Sequence, residues 1–192
     1  MISLRLAGIA VAVLALAGVA HAQSSTDGQQ PTPPQATSQA SAQQDGSGSP
    51  AAVSDDDGKW SDKDGNPTFK IGKDGAVDYY TYAGFVRYSA NCLQCHGPDA
   101  LGSTYAPSLV DSLHHLSYGD VLQTVAGGKK DLAGGQELVM PALGDNKNVM
   151  CYIDAIYVYL RARSDGAVGR GRPEKHAPKP ESFTTSENEC MG

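Results

Sequence analysis

The chain has 192 residues, a length that suits one domain of ordinary size. Its formal net charge of −6, with 21 acidic against 15 basic residues, argues against nucleic acid or an anionic membrane surface as the main partner. Four cysteines are too few for a disulfide-dense scaffold, so each must be accounted for by its own chemistry.

The chain opens with Arg5 ahead of an apolar run from Leu6 to Ala20. Ala20-His21-Ala22 then supplies a small-x-small cleavage pattern. This predicts a secretory signal peptide over 1–22, cut after Ala22; the run is too short for a membrane span of about 20 residues. The mature chain would carry no span, a charge of −7 instead of −6, and its cysteines in a compartment where disulfides persist. From 23 to 57 the sequence is Gln, Ser, Pro, Thr, Ala and Gly with almost no large apolar residue. Such a stretch cannot offset its ordering entropy, and it is expected to be a disordered linker.

Residues 58–192 are then the folded domain. Asp64-Gly65 and Asp74-Gly75 are turn dipeptides, and Phe69-Lys70-Ile71 alternates between them, which predicts a short β-hairpin lead-in. Asp62-x-Asp64-x-Asn66 resembles the start of a calcium loop. Pro67 stands where the loop's glycine belongs and no closing glutamate follows, so a turn is the expectation. A first helix is predicted from Asp78, as its cap, to about Ala90. Gly84 lies inside it at a cost of about 1 kcal/mol relative to alanine, which suggests the close approach of another backbone.

Cys92-Leu93-Gln94-Cys95-His96 follows. Two thiols three positions apart, with histidine directly after the second, form the c-type haem attachment pattern. Each thiol can add to one haem vinyl group, and His96 then falls under the iron as its proximal ligand. A zinc site would need a second ligand pair at similar spacing, and a thioredoxin-like site a βαβ context; the sequence offers neither. Ser117-Tyr118-Gly119-Asp120 is a capping box opening a short helix that Gly127-Gly128 ends, and His114 and His115 just before it are expected at the surface. A loop from Gly134 to Asn146 carries Met140-Pro141. The last helix is predicted from about Lys147 to Arg163, with Val149, Ile153, Ile156, Tyr157 and Leu160 on one apolar stripe. The tail from Ala167 is rich in Pro, Gly and charge, with Arg170, Arg172, Lys175 and Lys179 clustered in it. These are a candidate steering patch if the tail folds beside the haem.

In order and spacing these pieces resemble a class I cytochrome c, a mainly α fold. The resemblance implies that the first and last helices cross closely, with Gly84 and Tyr88 against Tyr157 and Leu160. It assigns the carbonyl of Pro107 to His96, Leu109 to the haem face, and Met140 to the distal side of the iron, with Met150 and Met191 as the competing methionines. Three segments, 105–113, 139–154 and 169–176, together with Glu-Cys-Met-Gly at 189–192, are similar to the four-cysteine, methanol-metabolism-related cytochromes. That group includes electron acceptors of lanthanide-dependent methanol dehydrogenases. The resemblance implies a periplasmic carrier of single electrons, not an enzyme, with one covalent haem c. Its donor would be an alcohol dehydrogenase bearing pyrroloquinoline quinone (PQQ), its acceptor a downstream cytochrome or terminal oxidase. Two alternatives stay open: a haem subunit of another periplasmic complex, and a haem sensor or enzyme with an open distal site. Cys151 and Cys190, left over once haem takes the other two thiols, are expected to form a disulfide.

Overall fold

The computed structural model describes residues 51–192 except Gly134; the expected signal peptide over 1–22 and the expected linker up to residue 50 lie outside the described residues. The lead-in is a small antiparallel sheet, β1 (Ser54–Asp56), β2 (Lys59–Ser61) and β3 (Pro67–Thr68), in that order. The stretch read as linker to Asp57 therefore overlaps β1. Backbone pairing to β2 orders these residues although their side chains stay exposed. Asp62 is buried and its Oδ1 accepts the backbone N–H groups of Asp64 (2.8 Å) and Asn66 (2.9 Å), an Asx turn. Among the described residues no cluster of acids, histidines or cysteines could hold a metal ion.

Helix α1 (Tyr79–Asn91) starts as expected. Asp78 caps it, accepting from Thr81 N at 2.8 Å, and its other oxygen accepts from Lys70 N at 2.8 Å, which ties the lead-in to the helix. Burial holds the Asp78 carboxyl above its ordinary pKa, against the hydrogen bonds from Lys70 and Thr81. After α1 come α2 (Leu93–His96), a 3₁₀ turn (Pro98–Ala100), α3 (Leu109–Ser112) and α4 (Tyr118–Gly127). Both halves of the Ser117–Asp120 capping box are formed, and Gly128 ends α4 at φ 74°.

Three expectations are corrected from here on. The loop read over 134–146 begins as a hairpin: β4 (Lys129–Ala133) pairs antiparallel with β5 (Gln136–Met140), Lys129 opposite Met140. Pro141, which has no N–H to give a ladder, follows the last strand residue. The last helix is two, α5 (Lys147–Met150) and α6 (Ile153–Ser164), broken where Tyr152 takes φ −126°, ψ 15°. Within α6, Ala155 and Tyr159, not Tyr157 and Leu160, stand opposite Gly84. A Cβ on Gly84 would lie 1.8 Å from the Ala155 carbonyl oxygen and 2.8 Å from Tyr159 Cβ. Tyr159 meets Phe85 and Tyr88 at 5.7 and 5.5 Å between ring centroids, while Tyr157 packs edge-on against Tyr118 at 5.0 Å. Nor is α6 a one-sided stripe: Ile153 and every residue from Ala155 to Ser164 are buried.

The tail is the third correction, since it contains helix α7 (Glu181–Met191), which composition had hidden. Cys151 and Cys190 are joined at 2.02 Å, as expected, and pin α7 to the α5–α6 junction. Phe183 is buried edge-on to Tyr79 and Tyr80, each at 4.9 Å. Among the described residues no helix is long and apolar enough to cross a membrane.

Candidate haem-attachment site

Cys92 closes α1 and opens α2, so the two thiols and His96 occupy one helical turn: His96 N and Cys95 N both donate to the Cys92 carbonyl, at 2.9 and 3.1 Å. Cys95 is exposed and Cys92 partly buried, and neither is taken up in a disulfide. His96 is buried, and its Nδ1 lies 3.0 Å from the Pro107 carbonyl oxygen. A carbonyl only accepts, so Nδ1 carries the proton and Nε2 keeps a free lone pair.

Close backbone packing fixes this geometry. Gly102 N donates to the His96 carbonyl at 2.8 Å. A Cβ on Gly97 would lie 2.2 Å from the Gly102 carbonyl oxygen, and one on Gly102 2.7 Å from Ser108 N. Both glycines have φ near +80°, which other residues rarely adopt. Tyr88 OH donates to the Gly97 carbonyl at 2.5 Å, and Ser103 Oγ to that of Cys95 at 2.5 Å. Burial raises the Tyr88 phenol above its ordinary range, so it remains a donor.

Asp99 is a hub. Its carboxylate accepts Arg170 Nε at 2.9 Å and Gly171 N at 2.7 Å, and its carbonyl accepts Arg163 Nε at 3.3 Å. Burial alone would raise its pKa, but the Gly171 N–H and the Arg170 guanidinium outweigh it and hold the carboxyl below its ordinary value. Tail residues thus grip the loop three positions after His96. Nothing in the sequence marked that long-range pair.

Met140 is half-buried at the end of β5. The chain after it is anchored on α4, with Leu143 N and Gly144 N donating to the carbonyls of Val125 and Ala126 at 2.9 and 3.1 Å. A Cβ on Gly128 would lie 2.8 Å from the Met140 carbonyl oxygen. Met150 and Met191 instead pack against the hydrophobic core, and Leu109 does so at the start of α3. His114 and His115 are exposed.

The donor set fits haem c: two thiols on one turn, an imidazole with its outer nitrogen free, and a thioether on a separately anchored segment. Large apolar side chains also stand exposed on these segments, Leu101 at 46%, Tyr105 at 69% and Val139 at 55%.

No family model matches the chain. Cytochrome c-553I of Paracoccus denitrificans is 49% identical over 136 residues, 71% of this chain and 60% of the relative, so the chain spans about 60% of that protein's length. Cytochrome c-555 of Methylococcus capsulatus (strain ATCC 33009 / NCIMB 11132 / Bath) is 38% identical over 100 residues, 52% of this chain and 75% of the relative. Among solved structures, c-type cytochrome XoxG from Methylobacterium extorquens AM1 aligns at 56% identity with a TM-score of 0.68, covering 74% of this chain and 87% of that one. The helical fold closed on a Cys-x-x-Cys-His turn defines a haem-bearing electron-transfer protein. The chain belongs to the c-type cytochromes. The relatives are cytochromes c, electron carriers, and the cofactor of that family is a single covalent haem c.

Proposed function

We propose that this cytochrome works in the periplasm, released there by cleavage after Ala22 with a linker ahead of its haem domain. There it accepts single electrons from a PQQ-dependent alcohol dehydrogenase, methanol being the substrate that the resemblance favours, and passes them towards the respiratory chain. The observation that carries the site assignment is the 3.0 Å contact of His96 Nδ1 with the Pro107 carbonyl on the Cys-x-x-Cys-His turn. Cys92 and Cys95 hold the haem as thioethers, and haem c supplies a one-electron iron couple. The Pro107 carbonyl would fix the tautomer of His96 and leave Nε2 as the nitrogen to hold the iron. Met140 would hold the iron as its second ligand; a thioether in that role would raise the reduction potential and leave no open position for substrate. Leu109 lines the pocket. Similarity to XoxG, and the segments shared with methanol-metabolism cytochromes, support the donor class. A two-electron quinol would need two encounters with this one-electron carrier for each alcohol oxidised.

Met140→Ala tests the ligand set. The near-infrared methionine–iron(III) charge-transfer band should vanish, and the variant should bind added imidazole or cyanide; an unchanged spectrum removes Met140 from the site. Reduction of the holocytochrome by purified PQQ-dependent methanol dehydrogenase tests the donor, and no reduction would discard it.

A further inference from the structure

The turn after the attachment motif has a costly backbone. Asp99 (φ 60°, ψ 17°) and Ala100 (φ 63°) stand next to each other in the left-handed region. Aspartate visits that region at times through local hydrogen bonds, alanine hardly at all. Such residues persist only where the surroundings over-determine them. Three parts of the chain do so here. From α1, Tyr88 OH donates to the Gly97 carbonyl. From α6, the buried Arg163 puts Nε on the Asp99 carbonyl at 3.3 Å and Nη1 on the Val168 carbonyl at 2.6 Å. From the tail, Arg170 Nε and Gly171 N donate to different oxygens of the Asp99 carboxylate, whose side chain is only 11% exposed. Arg170 and Lys179 are thus paired inside the molecule, with Asp99 and Glu187, so the tail cations are half neutralised as a steering patch.

The effect of this clamp runs to His96. Ala100 is wholly buried, and Gly102 N donates to the His96 carbonyl at 2.8 Å. The same glycine lies against the next stretch of backbone: a Cβ on it would stand 2.7 Å from Ser108 N and 3.1 Å from the Pro107 carbonyl carbon. Pro107 in turn supplies the carbonyl that meets His96 Nδ1 at 3.0 Å. The path is backbone throughout, from Asp99 to Gly102 along the chain and then from Gly102 to Pro107 by contact. No side-chain rotation along it can absorb a shift of the turn.

We propose that Asp99, clamped by Arg170 and Gly171, is a positioning residue for the haem iron. It fixes the 97–102 turn and with it the Pro107–His96 hydrogen bond, which gives the tail control of the reduction potential. This rests on the reading of His96 as proximal ligand. A histidine ligand that donates Nδ1–H to a fixed carbonyl is more basic at its other nitrogen and favours oxidised iron. A loosened acceptor weakens that bias, so the potential rises when the clamp opens. Charge alone has the opposite sign at Arg170. Removing that cation without any movement leaves more negative charge near the iron and lowers the potential.

The test uses holocytochrome carrying Arg170→Gln, with Asp99→Asn as a second variant. In Arg170→Gln the equilibrium with a redox dye of fixed potential should move about threefold towards reduced haem, ~28 mV at ~59 mV per tenfold. In the reduced protein the His96 Nδ1–H, followed by NMR, should exchange with solvent about tenfold faster than in the wild type. Asp99→Asn keeps the side-chain shape and should change both readings in the same directions. Support requires the two changes together in Arg170→Gln, and any other combination overturns the proposal. A lower potential with unchanged exchange would make the pair a source of charge only. Wild-type values of both would make the turn self-supporting, with the His96 reading intact. The oxidised wild type tests that reading separately: His96 ring protons must be shifted by the paramagnetic iron. Their absence would discard His96 as the ligand and the proposal with it. Should Asp99→Asn fail to take up haem, Arg170→Gln still decides, because Arg163 continues to hold the turn from within.

Discussion

Gly84 sets how closely α1 and α6 approach. The 1.8 Å that a Cβ would leave to the Ala155 carbonyl is far inside contact distance, and the obstacle is backbone, which cannot rotate aside. Gly84→Ala should therefore cost about 3 kcal/mol, the upper end of ordinary overpacking, in spite of its gain in helix propensity. Guanidinium unfolding of the holoprotein measures it; a loss under about 1 kcal/mol would mean that the helices can part. The glycine itself was legible, because its cost in a helix demands a reason. Its partners were not: Tyr157 and Leu160 came from the family resemblance, and a helix buried on nearly every side offers no apolar stripe to show which face meets Gly84. The haem turn was equally legible, because Cys92, Cys95 and His96 are sequence neighbours whose chemistry is read from spacing alone. Tyr88, Ser103 and Asp99 support that turn across sequence gaps of up to 72 residues, and local pattern carries no such information.

Helix α7 illustrates the same limit among the elements. Its sequence, Glu-Ser-Phe-Thr-Thr-Ser-Glu-Asn-Glu-Cys-Met, has weak intrinsic helicity, and it forms because tertiary contacts hold both ends. Phe183 fills a ring of tyrosines, and the disulfide fixes the C-terminal turn. Cys151→Ala/Cys190→Ala should lose about 4 kcal/mol by the chain-entropy estimate for a 39-residue separation, read as a lower unfolding midpoint. An unchanged midpoint would assign the clasp to the side-chain contacts alone. Those contacts depend on pH. Glu187 accepts from Lys179 Nζ and Tyr152 OH, each at 2.5 Å, and from Arg87 at 3.3 Å; these hold its carboxyl below its ordinary pKa. A depressed acid stabilises the folded state fully above the unfolded value of about 4.3, and the contribution is lost as pH falls through the lower folded value. Unfolding midpoints between pH 6 and 3 should therefore drop less steeply in Glu187→Gln than in the wild type; parallel curves would exclude Glu187 as the acid-sensitive group.

Over the whole molecule, the residues after α6 have two separable tasks. The segment from Val168 to Ala177 grips Asp99 and pairs with Val77, while α7 closes on the α5–α6 junction. Trypsin can tell them apart. Arg170 and Lys175 are exposed, whereas Pro173 and Pro180 protect the bonds after Arg172 and Lys179. A cut after Lys175 severs the polypeptide but not the molecule, because Cys151–Cys190 still bridges the two pieces. Such a nicked protein runs as one species until thiol is added, then yields a large fragment bearing the haem and a small one containing α7. In that two-chain form the segment 168–175 can fray from the attachment loop while α7 stays covalently moored, so the two tasks can be assayed separately without altering a single side chain.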